Sequence, residues 1–254
     1  MEQQLIPNIL HLLAGGGLGM ASAALAAHFG YRSADRLPGE SRTPECVFCL
    51  RPLLWFEFFP LFGWLLRRDA LALPCPCGKR KGQWPQPAVE LLGFALGAIA
   101  VALAGWNWTI VPLCLGLGLL PAIGLIDLAF GVIPDGLNLL LATFGFGWIV
   151  AKGDIFMGLV TATGLLALGL LLALGYSKWR GKEMLGLGDV KFFAAAGLWL
   201  PVTQVPAFLF AAGILGVLLG LLWQRAGGGK EFPFAPALCL SLAGCVFFQL
   251  WQAL

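Results

Sequence analysis

A chain of 254 residues with 59% hydrophobic side chains, 11% charged ones and a net charge of +3 is no ordinary soluble domain, whose charged share is about a quarter. Its mean hydropathy of +0.85 and the recurrence of apolar stretches of roughly 20 residues predict an all-α polytopic membrane protein with about eight transmembrane helices. Lipid is the expected surroundings, and neither a large soluble domain nor a nucleic-acid partner is expected.

A first span is predicted over residues 9–29. Glu2 precedes it without any Lys or Arg, so it reads as a retained helix and not a cleaved signal peptide. Gly15, Gly19 and Ala23 repeat at the small-xxx-small spacing that lets membrane helices pack closely. Residues 31–86 then hold nine of the sixteen basic residues, which puts them in the cytoplasm by the positive-inside rule. Inside this segment residues 53–66 are apolar and aromatic but broken by Glu57 and Pro60, a pattern suited to the membrane surface. Further spans are expected at 88–104, 109–128, 135–150 and 155–174, as a pair within 190–223 divided near Pro201 to Pro206, and at 236–254. Threading them alternately leaves Lys178, Arg180, Lys182, Arg225 and Lys230 inside and only Lys152 outside. The chain thus divides into a first helix (1–30), a cytoplasmic segment (31–86) and a membrane core (87–254).

Ionisable groups at membrane depth are costly and mark function by default, and here they are Asp127, Asp135, Asp189 and Glu90. The threading puts Asp127, late in one span, and Asp189, at the start of another, on the same cytoplasmic face. Asp127 lies towards a helix C-terminus, where the dipole disfavours an anion. Asp189 follows Gly186 and Gly188 in GLGDVK, where the glycines allow a tight turn and close approach, and on this stretch alone it reads first as a helix N-cap; its shared face with Asp127 turns the reading to half of a catalytic pair. Asp135 follows Pro134 and reads as a first-turn acid, while Glu90 reads as structural or interfacial. Two carboxyls in a low-dielectric site do not both ionise readily, so the pair can hold a water between an acid and a base. The helix positions assign the base to Asp189 and the proton to Asp127.

Seven cysteines are present, four of them in the cytoplasmic segment as Cys46, Cys49, Cys75 and Cys77. In a reducing compartment these are thiols or metal ligands, and a structural four-thiolate zinc site is the natural expectation. Cys114, Cys239 and Cys245 lie in apolar runs and read as packing residues. His11 and His28 have no companions at ligand spacing.

In chain order, RLPGESR, PECVFC, PLFGWLL, PCPCG, QPAVELLGF, LIDLAFGVIPDGLNL, GLGDVKFFAAAGLW and PFAPAL resemble the prepilin peptidases, bacterial membrane aspartyl proteases of the GxGD kind. The tail reads PFAP where the family usually has PFGP. The resemblance implies an inner-membrane enzyme that removes the basic leader of prepilins or pseudopilins at the cytoplasmic face. Asp127 and Asp189 match its catalytic pair, with Gly186, Gly188, Asp135 and Lys191 in support. It also implies N-methylation of the new N-terminus from S-adenosylmethionine. The sequence leaves oligomeric state open. A different class, a small transporter or proton relay, also uses buried acids in a Gly-rich bundle, but a relay should step across the membrane and not gather its acids at one face.

Overall fold

The computed structural model describes residues 2–34, 86–180, 185–227 and 232–253. Cys46, Cys49, Cys75 and Cys77, the aromatic stretch at 53–66, and Lys182 and Lys230 lie outside these residues. The described residues form eight α-helices and no strand. They are α1 (Glu2–Ala34), α2 (Gln86–Ala104), α3 (Val111–Phe130), α4 (Asp135–Lys152), α5 (Ile155–Arg180), α6 (Leu187–Gly197), α7 (Val205–Arg225) and α8 (Ala235–Gln252). Among the described residues five stretches are long and apolar enough to cross a membrane: Asn8–Ala27, Trp108–Phe130, Ile155–Gly175, Val202–Arg225 and Ala235–Gln252, with Ala88–Ala104 a shorter apolar helix. The chain is therefore an all-α polytopic membrane protein.

The helix α6 departs from the expected full span. Its 11 residues rise only about 16 Å, roughly half of a hydrocarbon core. The chain then buries Leu198, Trp199 and Leu200 before a short 3₁₀ turn, Val202–Gln204, leads into α7. Trp199 is the peg that stops it. Its indole N–H donates to Leu141 O of α4 at 3.2 Å, and its own carbonyl accepts from Gln249 Nε2 of α8 at 3.0 Å.

At the centre lies α3, which packs against α1, α2, α4 and α8. Almost every residue from Leu113 to Asp127 is buried, as a helix that is apolar all round requires. Ser22 of α1 donates to Leu115 O of α3 at 2.8 Å, which satisfies its hydroxyl inside the bundle. The small-residue stripe of α1 faces a matching stripe on α2. A Cβ added at Gly93 would lie 2.6 Å from both Gly19 O and Ala23 Cβ, so only glycine allows this approach.

Enlarging that contact tests the packing: Gly93→Leu should destabilise the protein by about 1–3 kcal/mol or more, the usual cost of overpacking. Thermal unfolding in detergent reads this directly, and an unchanged midpoint would contradict the close backbone contact.

Candidate active site

Four helix ends meet at one end of the bundle. The first belongs to α3, whose last turn carries Asp127 and which closes at Gly131 with φ 66°, a left-handed conformation that favours glycine. The Gly131 N–H donates to Asp127 O at 2.7 Å, so the helix stops one turn beyond the acid. Pro134 caps α4 in extended conformation, and Asp135 opens that helix as the first-turn acid expected from its sequence.

Asp127 is 5% exposed, and its Oδ2 accepts the backbone N–H of Ala235 at 2.8 Å. Ala235 is the first residue of α8. The α3 C-terminus was expected to disfavour charge on Asp127, but the side chain reaches across to the positive end of another helix. Such a pairing contributes about 0.3–2 kcal/mol to an anion. The helix-end argument for leaving the proton on Asp127 is thereby removed, because both acids now face helix N-termini.

Asp189 is half-buried in the first turn of α6. It is not the N-cap. Gly186 holds that position without a side-chain cap bond, because the helix starts at Leu187, two residues before the acid. Gly186 has φ −66°, so left-handed freedom is not what its glycine supplies; a Cβ there would sit 3.4 Å from Asp189 Oδ2. Gly188 does permit close approach, since its Cβ would lie 3.3 Å from Ile133 Cβ in the link between α3 and α4.

The two acids, 62 residues apart in the chain, come to the same end of the bundle: Asp127 at the start of α8, and Asp189 in the first turn of α6, which is tied to the start of α4 just beyond the α3–α4 link. Cys239, one turn into α8 from Ala235, is 6% exposed and lies on the first turns of α8, which meet Asp127 through Ala235. Its sequence context marked it only as packing; its place beside the acids depends on which face of α8 turns inward. Asp135 and Lys191 also meet, in an exposed ion pair with Nζ 2.6 Å from Oδ1. Exposed pairs contribute no more than about 1 kcal/mol, so this one fixes orientation more than stability. Asn138 of α4 was not singled out by its sequence context. It is buried and donates from Nδ2 to Gly188 O at 3.1 Å. Its signal was a polar residue three positions after Asp135, on the same side of an otherwise apolar helix. Glu90 is buried in α2. Among the described residues no group of three or more His, Cys, Asp or Glu side chains could hold a metal ion.

Residues 113–221 match the sequence model of the type IV leader peptidase family. The match runs from α3 through most of α7 and contains both Asp127 and Asp189. A prepilin leader peptidase/N-methyltransferase of Aeromonas hydrophila is 33% identical over 207 residues, covering 77% of this chain and 68% of that protein. The chain belongs to the type IV leader peptidase family. Proteins of the same description from Stutzerimonas stutzeri and Neisseria gonorrhoeae are 32% and 28% identical to this family member. They cover 79% and 82% of the chain, and 69% and 72% of their own lengths. No solved structure matches it.

Proposed function

We propose that this chain is a prepilin peptidase of the inner membrane that hydrolyses the peptide bond after the basic leader of prepilins or pseudopilins, with Asp127 and Asp189 as its catalytic dyad. The observation that carries the reading is the convergence of these two acids, from the end of α3 and the start of α6, at one end of the bundle. The sequence concentrates nine of its sixteen basic residues in 31–86, which supports a cytoplasmic position for that end by the positive-inside rule, where the leader of a membrane-held substrate would lie.

In the proposed reaction a water sits between the carboxyls. The ionised one takes a proton from the water, whose oxygen adds to the scissile carbonyl carbon. The protonated one gives its proton to the carbonyl oxygen. The tetrahedral gem-diol collapses as one of its hydroxyls returns a proton to the carboxylate that protonated the carbonyl oxygen, the C–N bond breaks and the leaving nitrogen gains the proton first taken from water. Leader carboxylate and mature N-terminus are released, and the dyad returns to one shared proton. Asp135 and Lys191 support the geometry from the exposed rim, while Gly188 admits the α3–α4 link beside Asp189. The transporter or proton-relay reading is disfavoured because the acids gather at one end.

The names of the relatives support a second activity, transfer of a methyl group from S-adenosylmethionine to the newly exposed N-terminus. We assign a structural zinc site to Cys46, Cys49, Cys75 and Cys77 because one segment holds four thiols as two close pairs, the second with a single intervening residue; all four lie outside the described residues.

Cleavage of a prepilin-like substrate by the purified full chain tests the dyad. Asp127→Asn keeps an oxygen to accept the Ala235 N–H, so the fold survives, yet cleavage should fall at least about 10²-fold. Asp189→Asn should do the same, and cleavage at the parental rate by either folded variant overturns the assignment. Metal analysis of the intact protein should find zinc that is lost in Cys46→Ser; an intact chain without bound zinc contradicts that site.

A further inference from the structure

Asn138 is only 4% exposed, and the hydrolytic chemistry does not use it. Its Nδ2 donates to Gly188 O at 3.1 Å, while its Oδ1 is buried without a hydrogen-bond partner among the described residues. Turning the amide over would set oxygen against oxygen at Gly188, so the contact itself fixes which atom donates. An amide with one buried unpaired oxygen is a poor choice for stability, and a leucine of similar size would pack in an apolar helix at no such cost. Nor does Gly188 need the bond, since its carbonyl lies in the first turn of α6 and is available to the helix's own ladder.

What the bond does accomplish is orientation. The Gly188 carbonyl belongs to the planar peptide unit that also contains the Asp189 N–H, so the Asn138 amide fixes the plane from which Asp189 projects. Asp127 is tied to the same region because Gly131 to Pro134 lead from its helix into α4. Asn138 is therefore the buried link, and the Asp135–Lys191 pair the exposed one, between the helix that follows one acid and the helix that carries the other.

We infer that Asn138 is a positioning residue for peptide hydrolysis, holding Asp189 in register through the Gly188 carbonyl. The inference rests on the peptidase reading of the site. Because misplacement of a reacting group by about 1 Å can lower a rate about 10²-fold, Asn138→Leu should reduce kcat at least about tenfold. Its KM should stay near the parental value and its thermal midpoint should be equal or higher.

Asn138→Asp keeps the shape but offers an acceptor in place of the donor while ionised, and recovers a donor when protonated. The charged groups at this end of α3, α4 and α6 are Asp127, Asp135, Asp189 and Lys191, all present in both proteins. The rate of this variant relative to the parent should therefore rise as the pH falls. Both are measured with the purified full chain in lipid nanodiscs and a prepilin-like substrate. A parental kcat in Asn138→Leu overturns the inference. So does a loss that merely follows a lowered thermal midpoint, together with a pH-independent ratio for Asn138→Asp. Activity in Asp127→Asn or Asp189→Asn would mark failure of the peptidase reading itself; inactive aspartate variants beside a fully active Asn138→Leu would refute the positioning role alone.

Discussion

The bond from the Ala235 N–H to Asp127 is the contact on which the site depends. Without it a carboxylate would be buried near the C-terminal end of its own helix, with the dipole against it and no solvent to compensate. With it, the first amide of α8 supplies both a donor and the favourable end of a second dipole. The bond also brings α8, and with it Cys239, against the last turns of α3. The same arrangement serves Asp189, which stands in the first turn of its own helix. Two acids are thus held at one end of the bundle by two helix N-termini.

Keeping them there requires helices that stop. Gly131 ends α3 one turn after Asp127, and Trp199, bonded to both α4 and α8, ends the half-length run of α6. The helix α4 braces the two ends: it begins just after the first acid's helix, and Asn138 and Asp135 reach from it to the second. The close packing of α1, α2 and α3 at glycine and serine positions ties these three helices together.

Much of this was legible in the sequence. Apolar length marked the helices, small-residue spacing marked the face between α1 and α2, and the placement of lysines and arginines was enough to put Asp127 and Asp189 on one side. The short α6 was less visible, because Leu198 to Leu200 continue its apolar run and only the tertiary contacts of Trp199 show where it ends. Asp189 looked like an N-cap because local sequence does not distinguish a cap from the first turn; the helix begins two residues earlier. The partner of Asp127 was hidden because it is a backbone amide, and Ala235 attracted notice only as an alanine in PFAP. Asn138 was hidden because one polar residue in an apolar helix is informative only once its neighbour is known.

The account's central claim is that the two aspartates act as one unit on one water. A double-mutant cycle on kcat tests it most directly, with Asp127→Asn, Asp189→Asn and the combined variant compared in single-turnover cleavage by folded protein. Residues that act together give strongly non-additive losses, so the combined variant should be no slower than either single one. Losses that multiply in the combined variant would mean that the acids contribute independently, and would contradict the dyad.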